Sequence, residues 1–122
     1  MTIPCALTLV SGGSYAQREA VIAASLITYP KAQRNAAILE GLPEGEFTLL
    51  AFPDLALHRL APGCMCCIGN LAMRVTLNRV LRQAPERLYL ALSDAEHLAK
   101  IIEFLRQDAY RERVRLDQDL RI

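Results

Sequence analysis

Apolar and polar residues alternate along the chain in blocks that switch between a short-strand and a helical period. Cys5 to Val10 is a brief apolar run ending at Ser11-Gly12-Gly13-Ser14, the pattern of a strand that runs into a glycine-rich turn. From Gln17 to about Thr28, apolar residues at 20, 21, 24 and 27 mark one helical face, and Pro30 stops the helix. Asn35 to Leu39 is a short apolar piece before the turn-rich Glu40-Gly41-Leu42-Pro43-Glu44-Gly45. Phe47 to Phe52 predicts a strand, and Leu55 to Leu60 a further extended piece.

Pro62-Gly63-Cys64-Met65-Cys66-Cys67 then reads as a loop that leads through Ile68-Gly69-Asn70 into a helix. Asn70 suits the N-cap, and Leu71/Val75 with Met73/Leu77/Val80/Ala84 keep helical spacing until Pro85. Arg87 to Leu92 has the length and apolarity of a buried parallel strand. Ser93-Asp94-Ala95-Glu96 has capping-box spacing ahead of a helix with Ala95, Leu98, Ile102 and Leu105 on one face. Arg113 to Leu116 alternates charged and apolar residues, as a late edge strand does. Such β-α alternation predicts an α/β layered fold with a mostly parallel sheet.

Composition narrows the function classes. The chain has 122 residues, enough for one domain over 1–122, and is 52% hydrophobic and 22% charged, which excludes a disordered or low-complexity protein. Its net charge of +1 supplies no field for nucleic acid or an anionic membrane. The C-terminal stretch from Lys100 mixes six basic with five acidic residues, a solvated face rather than a basic patch. Apolar runs such as Leu88 to Leu92 reach only five residues, too short to span a bilayer. Met-Thr-Ile-Pro-Cys lacks the features of a signal peptide, so a cytoplasmic setting is expected, with the four cysteines as thiols.

Two segments carry candidate chemistry. Cys64, Cys66 and Cys67 place three thiols within four residues of a Gly/Pro-flanked loop, where they can converge on one soft or borderline cation. A tetrahedral site needs a fourth ligand, for which His58, Glu40, Glu44 or water are candidates. The same cysteines could instead be small buried hydrophobes or a thiol redox pair. Cys5, alone at the start of a strand, is expected in the core, and His97 on the polar side of its helix. The second segment is the turn at Gly12. A phosphate-binding loop is a strand, then G-x-x-x-x-G-K-[ST], then a helix. Gly12 holds the first position, but Gln17 stands for the second glycine, Arg18 for the lysine and Glu19 for the magnesium-binding hydroxyl.

Together these residues resemble the front half of the CobW-type GTPases, P-loop metallochaperones related to cobalamin-synthesis proteins. Ser11-Gly12-Gly13-Ser14-Tyr15-Ala16-Gln17-Arg18-Glu19-Ala20 stands where that family has S-G-F-L-G-A-G-K-T-T, and Ile38 to Glu44 is similar to I-V-N-E-F-G-E. The hallmark G-C-x-C-C is present as Gly63-Cys64-Met65-Cys66-Cys67, with Arg59 and Pro62 replacing the Glu and Asn that precede it. The resemblance spans roughly residues 5 to 98. It implies a truncated P-loop NTPase-like sandwich, a thiolate metal site at Cys64, Cys66 and Cys67, and zinc or cobalt as the metal. It also implies GTP, held by what remains at Gly12, Gly13 and Arg18. However, E-[ST]-[ST]-G is replaced by Ala91-Leu92-Ser93-Asp94, and no guanine-reading N-K-x-D occurs. The expectation is therefore a metal-binding module without GTP hydrolysis that passes its metal to a protein partner. The alternatives are a weak GTPase completed by a partner chain and a thiol redox module. A shortened sheet leaves an edge and an apolar face to cover, which predicts a homodimer.

Overall fold

The structure, a computed structural model, describes residues 4–28, 34–41, 49, 52, 54–60, 71–93 and 98–122. Five strands form one sheet: β1 (Cys5–Ser11), β2 (Asn35–Glu40), β3 (Leu55–Leu60), β4 (Arg87–Leu92) and β5 (Val114–Arg121). Four helices accompany them: α1 (Tyr15–Thr28), α2 (Leu71–Arg82), α3 (Leu98–Leu105) and the single turn α4 (Asp108–Arg111). The sheet order is β3-β2-β4-β1-β5, and every neighbouring pair is parallel. This is the α/β layering that the alternation of blocks predicts.

The apolar runs become central strands because parallel strands are covered on both faces. Successive side chains go to opposite sides. Ala36, Ile38, Leu88, Leu90, Leu7 and Leu9 pack with Met73, Leu77 and Val80 of α2 and Leu98, Ile101 and Leu105 of α3. Ala37, Leu39, Tyr89, Ala91 and Val10 pack on the other side with Tyr15, Ile22, Ala23 and Leu26 of α1. Cys5 lies in the first of these cores, as its position in the run suggests.

Four expectations change. The buried face of α1 is Tyr15, Arg18, Glu19, Ile22, Ala23 and Leu26, not 20, 21, 24 and 27; Ile27 is 68% exposed. The helix is apolar nearly all round, so its pattern could not choose a face, and the two charged residues that seemed to mark the outside are inside. At the end of α2, Ala84 has left the helix with φ 52°, its N–H bonded to Leu81 O at 3.0 Å. The following proline disfavours a helical residue there. The strand expected over Phe47 to Phe52 is interrupted where it is described, since Phe52 N–H donates to Leu49 O at 3.1 Å in a turn; the other four residues lie outside the described set. Finally, β5 is eight residues long rather than four. Asp117, Gln118 and Asp119 hide it in the sequence, but an edge strand tolerates polar residues on both faces, and a bulge between the pairs Leu7–Leu116 and Thr8–Gln118 absorbs one of them.

Candidate functional site

In an open parallel sheet, ligands are met at the carboxyl ends of the strands. Here those ends bring together the Gly12-Gly13 turn after β1, Glu40-Gly41 after β2, Arg59-Leu60 at the end of β3 and Ser93 after β4. The turn needs glycine, because φ is 83° at Gly12 and 61° at Gly13. A Cβ on Gly13 would also stand 2.6 Å from Gln17 Oε1. Gly12 N–H donates to Leu92 O at 3.2 Å, tying the turn to β4.

Ser14 and Gln17 then close the start of α1 reciprocally. Ser14 N–H donates to Gln17 Oε1 at 2.7 Å, and Gln17 N–H donates to Ser14 Oγ at 3.1 Å. This is a capping box, and its S-x-x-Q signature was present in the chain. Gln17 thus occupies the second-glycine position with a side chain that uses one of the turn's amides.

Arg18 is 3% exposed and points into the turn. Its Nη1 donates to Gly12 O at 3.0 Å and to Gly13 O at 2.7 Å, while Nη2 donates to Glu40 O at 3.3 Å. The sequence-derived trio Gly12, Gly13 and Arg18 is therefore assembled in one place. Its polarity is that of a cation site: carbonyls face the guanidinium, whereas a phosphate needs N–H groups.

Glu19, 1% exposed, meets Arg59 Nη1 at 3.2 Å. Burial pushes the Glu19 carboxyl up from its ordinary value and draws Arg59 down, so desolvation acts on both partners. Both guanidinium groups approach the Tyr15 ring, with Arg59 Cζ 5.4 Å and Arg18 Cζ 5.9 Å from its centroid. Gly41 closes the group. Its φ is 131°, and a Cβ there would approach Tyr15 Cδ2 to 2.9 Å. Its N–H donates to Leu60 O at 3.0 Å.

On the opposite face, Glu40 Oε1 accepts from Ser93 N–H at 3.0 Å and from Ser93 Oγ at 2.6 Å. Ser93, read above as a helix cap, here joins the ends of β2 and β4; residues 94–97, His97 among them, lie outside the described residues. His58 sits two residues before the end of β3, and burial together with the positive charge of Arg79 lowers its pKa. Both effects disfavour the charged imidazolium form.

Cys64, Cys66 and Cys67, like Glu44, lie outside the described residues. Among the described residues no three His, Cys, Asp or Glu side chains gather to hold a metal ion. The chain enters the cysteine segment directly after Leu60, the residue hydrogen-bonded to Gly41. The Arg59–Glu19 pair and the Gln17 cap are the parts that motif reading missed. Both stand at positions that the motif comparison counted only as losses.

Among curated proteins, the chain is similar to the zinc chaperone YeiR of Escherichia coli (strain K12), with 38% identity over 63 residues. That segment is 51% of this chain and 19% of YeiR, so the match spans about one fifth of that relative. The similarity agrees with the CobW-type resemblance over that part of the chain. No family model matches the chain, and no solved structure matches it.

Proposed function

We propose that this chain is a zinc-binding module of metal-chaperone type that holds Zn²⁺ as cargo through Cys64, Cys66 and Cys67 and turns over no nucleotide. The observation that carries the metal reading is the similarity to a zinc chaperone in a chain that contains a G-C-x-C-C motif. Thiolates suit Zn²⁺, and cobalt, which the family resemblance adds, is the competing ion. The protein works in the cytoplasm and passes its ion to a protein partner. Among the described residues no helix is long and apolar enough to cross a membrane.

The absence of hydrolysis rests on the geometry of the turn. Gln17 and Leu92 already use the Ser14 and Gly12 amides, and the Arg18 guanidinium is spent on carbonyls. Glu19 adds a carboxylate where a phosphate-bound Mg²⁺ would want a hydroxyl.

Elemental analysis of protein purified under reducing, oxygen-poor conditions tests the metal reading. Near-stoichiometric zinc in the wild type, lost in Cys66→Ser, is the expected result. A wild type that is empty and takes up no added Zn²⁺ overturns it. Mg²⁺-dependent binding of a fluorescent guanine nucleotide, abolished by Arg18→Ala, would instead favour a GTP-binding protein completed by a partner. A disulfide that forms reversibly among the clustered cysteines would favour the redox module.

A further inference from the structure

Residues 17, 18 and 19 occupy the positions at which a nucleotide-binding loop carries glycine, lysine and a magnesium-binding hydroxyl. In this chain each makes an internal contact. Gln17 satisfies the Ser14 amide. Arg18 bridges the turn after β1 to the end of β2 through Gly12 O, Gly13 O and Glu40 O. Glu19 reaches the end of β3 through Arg59. Gln17 thus fixes the start of the helix, and the next two residues, Arg18 and Glu19, reach the ends of β1, β2 and β3. The Gly41 N–H to Leu60 O bond joins the last two of those ends to each other.

We infer that Gln17, Arg18 and Glu19 form a permanent internal brace that does the ordering work a bound nucleotide does in a phosphate-binding loop, and that this brace positions the root of the cysteine segment. The brace needs no ligand. Removing Arg18 would take its guanidinium from the part-buried contacts to Gly12 O and Gly13 O and from the buried one to Glu40 O, and removing Glu19 would take its carboxylate from Arg59. A nucleotide could enter only by breaking these contacts, so binding it would be opposed rather than rewarded. Arg59 immediately precedes Leu60, and Cys64 lies four residues beyond Leu60. Arg18, Glu19 and Arg59 are therefore positioning residues for the end of β3, the point from which the chain leads to the proposed ligands.

The zinc arm of the test rests on the reading under Proposed function, and the hydrogen-exchange arm does not. Zn²⁺ affinity is measured by competition with a chromogenic chelator for the wild type, Arg18→Lys, Glu19→Gln and the swap Glu19→Arg with Arg59→Glu. Folding of each variant is checked by circular dichroism, and Arg59→Lys replaces any variant that does not fold. Amide exchange at Gly12 and Gly41 is followed in the same proteins. The expected result is that Arg18→Lys and Glu19→Gln each weaken zinc binding about tenfold with all cysteines intact, as loss of outer-shell support does. The swap recovers most of the Glu19→Gln loss. About 1 mM Mg·GTP, a concentration that saturates ordinary nucleotide sites, changes neither zinc affinity nor exchange in the wild type. Equal zinc affinity in all folded variants overturns the inference while leaving the metal site standing. If the wild type binds no zinc, the zinc reading falls, and the brace is judged by exchange alone. Loss of Gly12 and Gly41 protection in the variants then supports it, and unchanged protection overturns it. Protection or affinity that rises with Mg·GTP overturns it in either case.

Discussion

Cys5 is held apart from the metal-binding role proposed for the cysteines of the 64–67 cluster. Cys5 is packed among apolar residues at the start of β1, where burial pushes its thiol up to about 12 from an ordinary value of 9.0, against a smaller opposing pull from Arg87. A thiol held protonated in this way is a poor nucleophile and a poor ligand. It also makes stability depend on pH. Because the folded pKa lies above the unfolded one, the contribution is complete below pH 9.0 and is lost as pH rises toward 12. The difference in unfolding free energy between wild type and Cys5→Ala is therefore expected to fall across that interval by up to about 1.4 kcal/mol per pH unit. Chemical denaturation at several alkaline pH values checks it. Thiols that titrate alike in both proteins cancel in the difference.

At the scale of elements, helix ends show how local chemistry and tertiary context share the work. The start of α1 is a local matter, because Ser14 and Gln17 satisfy each other within one turn. The end of α2 is a compromise. Ala84 takes φ 52°, a conformation that costs an L-residue with a Cβ roughly 1 kcal/mol or more, because the chain must turn between Leu81 and Pro85 to enter β4. Glycine would remove that strain and give back part of the gain as unfolded-state entropy. Ala84→Gly should therefore stabilise the protein by about 0.5 kcal/mol, read as a higher midpoint in urea at unchanged slope. A loss of stability would mean that the Ala84 methyl packs against its surroundings more than it strains the backbone.

For the whole molecule, the order β3-β2-β4-β1-β5 puts the three most apolar strands in the middle and leaves β3 and β5 at the edges. The two edges differ. Along β5, the bulge and the pairs Arg115–Asp117 at 3.4 Å and Arg121–Asp119 at 3.2 Å are features that discourage strand addition. Beside it, Leu116 stands 46% exposed next to an apolar groove of about 110 Å³ lined by Leu7, Leu9, Ile102, Leu105 and Arg106. A homodimer, as proposed, would cover such a face and not the β5 hydrogen-bonding edge. Sedimentation at tens of micromolar, an order-of-magnitude condition for modest interfaces, is expected to show a dimer that Leu116→Asp shifts toward monomer. A wild-type monomer at that concentration rejects it, and a dimer indifferent to Leu116→Asp moves the contact elsewhere.

The layering, the central strands and the glycine turn were legible in the sequence because each rests on local pattern. Buried parallel strands must be apolar throughout, as Leu88 to Leu92 are, and a strand entering a left-handed turn needs glycine, as at Gly12 and Gly13. The cysteine cluster is a matter of spacing in the chain, and residues 64–67 lie outside the described residues. Which face of α1 turns inward was not, because an alanine-rich helix has no weak side and the deciding partners, Gly12, Gly13, Glu40 and Arg59, come from the turn after β1 and from two other strands. By motif, Gln17, Arg18 and Glu19 are three departures from a phosphate-binding loop. Only the tertiary structure shows the contacts that these three side chains make. A buried guanidinium and a buried carboxylate persist only where distant groups satisfy them, and those groups become neighbours only once the sheet has formed.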